Sequence, residues 1–166
     1  MKKRNLLTKG IYLINKKYKK NEFYHFIEEP SNSLIIPILK NKKFILVKQK
    51  REPINKINYE FPMGWIDKGE NSISTAKREL LEETGYKSII KPKKIMVFYP
   101  DPGRNRRKMY CFYTDKIEKI SKPEKNLKIF VCSGKKIFEL IKKQEFNNSS
   151  HIAAFYYFFI KNKIKF

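Results

Sequence analysis

Apolar and polar positions alternate with a period of two along much of the chain, and with a helical period in three places. Residues 22–29 alternate around Phe23, His25 and Ile27, and residues 10–14 read as a strand before them. Residues 33–39 and 44–49 are apolar and rich in β-formers, and Asn41, Lys42 and Lys43 between them predict a hairpin. Pro37 inside the first run predicts an edge strand or a bulge. A short strand at 59–61 stops at Pro62. Further strands are expected over 89–99, 108–114 and 127–132, with an irregular turn at 100–107.

The first helical stretch places Ile73, Ala76, Leu80 and Thr84 on one face. Asn71 or Ser72 is a suitable N-cap and Gly85 a suitable stop, so a helix is predicted from 71 or 72 to 84. Two more helices are expected over 134–144 and 149–161. In the last, Ile152, Phe155, Tyr156 and Phe159 form an aromatic stripe that reads as a core or dimer contact. Strands flanked by helices in this order predict an α/β architecture with a mixed sheet between helices. There is no internal repeat and no linker, so residues 1–166 read as one domain, with strands in its first 30 residues.

Composition narrows the classes. The longest apolar run, 152–160, is nine residues, too short to span a membrane. Lys9 interrupts the apolar residues behind the basic N-terminus, so no signal peptide is read. Cys111 and Cys132 lie far apart without a partner motif and read as buried thiols on strands of a cytoplasmic protein. His25 and His151 lack metal-ligand spacing and read as strand or surface imidazoles. The net charge of +22 has two accounts. It is the footprint of a polyanion partner such as nucleic acid, or a compositional bias in which Lys, Asn, Ile, Phe and Tyr rise together. The scatter of the charge along the chain favours the bias, and nucleic acid is not the favoured partner.

Against that background one window is acidic. Glu60, Asp67, Glu70, Glu79, Glu82 and Glu83 face only Lys68, Lys77 and Arg78 from 60 to 85, a net of −3. Glu79, Glu82 and Glu83 fall within an arc of about 100° on the predicted helix, beside its core face. Of the three, only Glu83 has a Lys at i+4. Acids at a helix C-terminus also oppose the helix dipole. Crowded carboxylates repel unless a cation joins them, and oxygen ligands in this arrangement suit Mg²⁺ or Mn²⁺.

The same residues carry a family pattern. Gly64, five residues, Glu70, seven residues, then Arg78-Glu79-Leu80-Leu81-Glu82-Glu83-Thr84-Gly85-Tyr86 resembles the Nudix box over residues 64–86. Tyr86 stands where a small aliphatic residue is commoner. The resemblance implies an α/β/α sandwich and Mg²⁺-dependent hydrolysis of a nucleoside diphosphate linked to another moiety. It implies metal binding by Glu79, Glu82 and Glu83 with the backbone carbonyl of Gly64, and a brace between Glu70 and Arg78.

The flanks, Val47 to Arg51 and Tyr59 to Gly64, resemble ADP-ribose pyrophosphatases, which implies that Arg51 and Glu60 hold the nucleotide. Within this resemblance a nucleotide sugar is the expected substrate and a homodimer, its N-terminal strands crossing to the partner, the expected assembly. Two departures stand out. The loop after Pro102-Gly103 carries four bases and no acid from Arg104 to Lys108, either a solvated hairpin or a clamp for phosphate with Arg104 among its ligands. The loop before Leu127, normally rich in acids, offers only Glu124 as a base beside the catalytic carboxylates Glu82 and Glu83. Other activities of the family, on GDP-mannose, dinucleoside polyphosphates or RNA 5′ ends, and a non-catalytic nucleotide sensor remain the alternatives.

Overall fold

A computed structural model describes residues 2–20, 22–123 and 127–162. Strands β1 (Lys2–Thr8), β2 (Ile11–Lys19) and β3 (Glu22–Glu28) make an antiparallel sheet in that order. Strands β4 (Asn32–Pro37), β5 (Phe44–Arg51), β6 (Lys56–Glu60) and β7 (Met63–Trp65) precede helix α1 (Ser72–Thr84). Then come β8 (Tyr86–Ser88), β9 (Lys93–Phe98), β10 (Met109–Thr114), β11 (Ile117–Lys119) and β12 (Lys128–Cys132), and helices α2 (Gly134–Lys142) and α3 (Ser149–Asn162).

The central sheet runs β7-β4-β10-β9, and it is mixed because β4 and β10 are parallel while the outer pairs are antiparallel. A second sheet runs β12-β5-β6, and β11 pairs with β8. Period two on β4 feeds two cores. Ile35 packs with Ala76, Leu80 and Phe112 under α1, while Leu34 and Ile36 join Phe44, Phe61, Phe155 and Phe158 on the side of α2 and α3. The result is a mixed sheet between helices, and of the α3 stripe Phe155 and Phe159 are core, Ile152 packs against it, and Tyr156 is exposed.

Several sequence expectations change here. The turn at 39–43 forms, with Leu39 N donating to Lys43 O at 2.8 Å. The strands it joins, however, share a single bridge, Ile38 with Phe44, and then enter different sheets. Both are buried on both faces where they leave the turn, so each requires its own neighbours. Pro37 is on an inner strand. Asn32 and Ile38 donate toward β10, whereas Ile35 donates the other way, to Pro62 O. Pro37 shares the side of Ile35, beyond the point where β7 ends, so its missing N–H leaves no ladder bond unmade. The expected strand at 89–99 shortens to β9, because residues 89–92, with Pro92 among them, form no strand, and β8 lies just before them at 86–88. Strand β1 escaped the pattern because all its residues but one are exposed, and β7, β8 and β11 are only three residues each.

Helix α1 has defined ends. The Asn71 side chain accepts from Ile73 N and Ser74 N, both at 3.0 Å, while Ser74 Oγ accepts from Asn71 N at 3.1 Å. At the other end Gly85 sits at φ +69°, and a Cβ there would lie 2.1 Å from Ser121 O. Asn71→Ala is expected to lower stability by about 1 kcal/mol. A shift of the urea midpoint to lower concentration at unchanged slope is the signature.

Candidate active site

The acidic window folds into a contact between α1 and β7. Three successive residues of β7 each meet a side chain from the helix. Met63 N donates to Glu83 Oε2 at 3.3 Å. A Cβ on Gly64 would lie 1.8 Å from Glu79 Oε1, so only glycine leaves room for that carboxylate. Trp65 O accepts from Arg78 Nη2 at 3.0 Å. Glu79 and Glu83 are buried, at 3% and 5% exposure. Withdrawing two carboxylates from water is costly unless charge and hydrogen bonds compensate.

Arg78 supplies much of that compensation. Its Nε and Nη2 donate to the two oxygens of Glu70, each at 3.0 Å, a fork on a carboxylate. Its Nη1 donates to Glu79 Oε1 at 2.6 Å and to Glu82 Oε2 at 3.3 Å. Thr75 Oγ1 donates to Glu70 Oε2 at 2.8 Å and Asp67 N donates to the same oxygen at 3.4 Å. The Arg78 fork, helped by these donors against desolvation, holds the Glu70 carboxyl down at about 2. The same bonds raise the pKa of Arg78. The sequence reading looked for bases downstream of the three glutamates, while the base that reaches two of them lies upstream.

Among the described residues no three His, Cys, Asp or Glu side chains converge as a finished metal site. Glu79 and Glu82 are turned onto Arg78 instead. The donor set nevertheless fits a hard divalent cation. It is all oxygen, two of its carboxylates are held out of water, and one lies in the space left by the missing Cβ of Gly64.

A second cation and carboxylate stand nearby. Arg51, at the end of β5, donates from Nε to Glu60 Oε1 at 2.8 Å and from Nη2 to Glu60 Oε2. Asn58 Nδ2 donates to Glu60 Oε1 at 2.9 Å, and Gln49 Nε2 reaches Oε2 at 3.5 Å. Burial pushes the Glu60 carboxyl up, but the Arg51 bonds, nearby positive charge and Asn58 outweigh it and keep it below the usual range. Glu60 is 1% exposed, so the carboxylate expected to touch a nucleotide is enclosed by the protein's own donors. The Arg51 side chain is 37% exposed. Its pKa is raised chiefly by the hydrogen bond to Glu60, against desolvation, and further by the charges of Glu60 and Glu83. That influence of Glu83 ties Arg51 electrostatically to the α1 carboxylates.

His151 is neither a strand residue nor a surface one, contrary to the sequence expectation. It lies in the first turn of α3 with no exposed surface. Its Nδ1 accepts from Phe61 N at 2.9 Å, and its Nε2 is 3.6 Å from Glu60 Oε2. Alternating polar residues at Asn58 and Glu60, in a strand with an apolar neighbour at Phe61, were the available signal for this buried network. His25 does lie on an exposed strand, β3, beside Asn15.

Arg104 is exposed on the loop after β9, and its carbonyl accepts from Ile27 N of β3 at 2.8 Å. The basic loop is neither simply solvated nor gathered on α1. Arg106 pairs with Glu28 at 3.0 Å and Arg107 with Glu29 at 3.2 Å, fastening the N-terminal sheet. Glu124 lies outside the described residues. Cys111 and Cys132 are buried on β10 and β12, and burial pushes their thiols up to about 12 and about 11.

A family model described as NUDIX domain matches residues 29–148. The chain is 34% identical over 113 residues to the ADP-ribose pyrophosphatase of Bacillus subtilis (strain 168), covering 68% of this chain and 59% of that protein. It is 40% identical over 95 residues to the ADP-ribose pyrophosphatase of Saccharomyces cerevisiae, covering 54% of this chain and 40% of that one. It is 47% identical over 60 residues to the ADP-sugar pyrophosphatase of Mus musculus, covering 34% and 28%. The matched stretches thus span less than two thirds of these relatives. The crystal structure of an ADP compounds hydrolase superposes with a TM-score of 0.76 at 18% identity, over 94% of this chain and 88% of that one, which shows the fold.

The buried imidazole makes stability depend on pH. Burial, with the charge of Arg51 and against that of Glu60, lowers the His151 pKa from 6.5 to about 4. Below 6.5 the unfolded chain takes up a proton that the folded chain refuses. Stability is therefore lost as pH falls from 6.5 toward 4, by on the order of 3 kcal/mol in all. Urea unfolding across this range is expected to show that slope, and His151→Gln, which cannot titrate, to flatten it.

Proposed function

This chain belongs to the NUDIX domain family, and we propose that it hydrolyses a nucleoside diphosphate linked to another moiety into two monophosphates. ADP-ribose or a related ADP-sugar is the proposed substrate. The observation that carries the reading is the packing of Glu79 and Glu83 against the Met63–Gly64 backbone, with Arg78 bracing Glu70, Glu79 and Glu82. The names of the relatives support the choice of substrate.

Members of the family use divalent metal ions, and for this chain we propose Mg²⁺, with Mn²⁺ able to replace it. Glu79, Glu82, Glu83 and the carbonyl of Gly64 would hold it. When bound, such an ion neutralises phosphate charge and lowers the pKa of a coordinated water. The remaining work falls to the chain. Gly64 admits the Glu79 carboxylate beside the strand. The Arg78–Glu70 fork fixes the loop 66–71 against α1, so the carboxylates start from a set position. Glu82 and Glu83 are the proposed catalytic carboxylates, and Glu82, with 22% of its side chain exposed, is the most open of the three and the one that a reacting water reaches. Arg51 presents a partly exposed guanidinium to the anionic substrate.

We further propose a homodimer formed through the N-terminal sheet. Leu6, Leu7, Tyr18 and Phe23 there are all more than half exposed, an apolar area that a partner can cover. No helix of the described residues is long and apolar enough to cross a membrane. Two buried free thiols suit a reducing compartment, and the cytoplasm is the proposed location.

A panel of nucleotide sugars, dinucleoside polyphosphates and 5′-triphosphate RNA, assayed with Mg²⁺ and with products identified, tests the reading. The expected result is AMP and a sugar phosphate from ADP-ribose. Binding without turnover of any compound would mean a sensor instead. Glu83→Gln is expected to lower kcat by more than about 100-fold while the circular dichroism spectrum stays unchanged. In Gly64→Ala the new methyl meets the flexible end of Glu79 rather than backbone. It should therefore keep the fold, displace that carboxylate and lower kcat/KM by more than about tenfold.

A further inference from the structure

The segment joining α2 to α3, with the first turn of α3, is sewn to β6 and the residue after it at three points. Tyr59 N donates to Glu145 O at 2.8 Å. Asn147 N donates to Asn58 Oδ1 at 3.2 Å. Phe61 N donates to His151 Nδ1 at 2.9 Å. Between these bonds lies Glu60, whose carboxylate accepts both forks of Arg51. The position of Glu60 thus depends on a segment some 85 to 90 residues further along the chain.

His151 is the rigid end of this arrangement. Its ring is stacked on Phe61, with centroids 6.4 Å apart and planes at 8°, and stands edge-on to Phe146 at 6.1 Å. Because Nδ1 accepts a hydrogen bond from Phe61 N, the neutral ring carries its own hydrogen on Nε2. That nitrogen is fully buried without a hydrogen-bond partner. The acceptor it faces is Glu60 Oε2 at 3.6 Å. An orphaned buried donor is expensive, and a small approach of Glu60 satisfies it. Asn58 presses on the other oxygen from the same strand face. Glu60 is thereby held from two sides and presents a fixed fork to Arg51. A guanidinium gripped through Nε and one Nη has its remaining edge pointed in a set direction at little entropic cost.

We propose that His151 is a positioning residue for Arg51: through Glu60, and together with Asn58, it fixes the guanidinium that meets the substrate. The proposal rests on the reading that Arg51 holds the anionic substrate. It gives the buried histidine a role that neither the acidic box nor the core packing requires. It also assigns Glu60 to holding Arg51 rather than to touching the nucleotide.

The test separates the two readings. The Arg51 Nε–H resonance is identified in ¹H–¹⁵N spectra as the arginine signal absent from Arg51→Lys, a variant that retains a cation for Glu60. In the wild type this signal should be protected from exchange with water. In His151→Leu its exchange should quicken by about tenfold or more, KM for ADP-ribose should rise by about tenfold, and kcat should stay within about twofold. His151→Gln, which can accept from Phe61 N and donate to Glu60, should restore both protection and KM. If His151→Leu does not fold, Asn58→Ala is read in its place. An Arg51 signal equally protected in the wild type and in these variants overturns the proposal whatever happens to activity. Loosening of the signal, with KM unchanged in both Arg51→Lys and His151→Leu, supports the positioning and removes the substrate role of Arg51.

Discussion

Two side chains of α1, Glu79 and Glu83, are withdrawn from water beside a strand that has no side chain at Gly64 to keep them away. Holding them there is the constraint on which the site is built. Arg78 holds Glu79, bonding also to the loop at Glu70, to the strand at Trp65 and to the helix at Glu82, while Met63 N donates to Glu83. A planar five-donor group can serve three elements at once, which a lysine cannot. The brace also explains why the carboxylates do not converge among the described residues. With Arg78 as their cation, Glu79 and Glu82 turn to it, and a divalent ion would compete for the same oxygens.

The second unit, Arg51 with Glu60, follows a different rule. In the first unit the arginine and its main partners lie within a few turns of chain, so local folding brings them together. In the second the carboxylate is buried and its orientation depends on α3, which forms from distant sequence. A buried ion pair contributes little net stability when desolvation is counted. Its value lies in geometry: the pair defines where a partly exposed guanidinium stands at the end of β5. Local chemistry sets the carboxylates, and tertiary packing sets the cation that would face them.

That division also explains what the sequence revealed. The limits of α1 were legible because Asn71 and Gly85 act within one turn of the helix. The acidic arc was legible because helical periodicity is local. The 39–43 turn misled because it resembles a hairpin while the flanking strands are buried on both faces and part into two sheets. Strand β1 was silent because exposed residues carry no apolar pattern. The role of His151 was illegible for a stronger reason. A histidine has no pattern of its own, and its partners at Glu60 and Phe61 come from a strand about ninety residues away. Arg106 and Arg107 were read as part of either a solvated hairpin or a phosphate clamp, because nothing in 104–108 discloses that they pair with Glu28 and Glu29.

The loop pairs also bear on the charge of the whole molecule. Part of the positive surface, Arg106 and Arg107, is paired with Glu28 and Glu29 and fastens the N-terminal sheet. Most of the net charge of +22 remains, and it surrounds a window of net −3. An acidic window in a neutral protein would repel a diphosphate at long range. In a basic protein the same window would lie inside an attractive field reaching about 10 Å at 0.1 M salt, and the proposed anionic substrate would be drawn in before it met the carboxylates. The positive charge need not have arisen for this purpose to have that effect. It would let the proposed site keep the carboxylates that a divalent cation requires without losing its attraction for a substrate of the same sign.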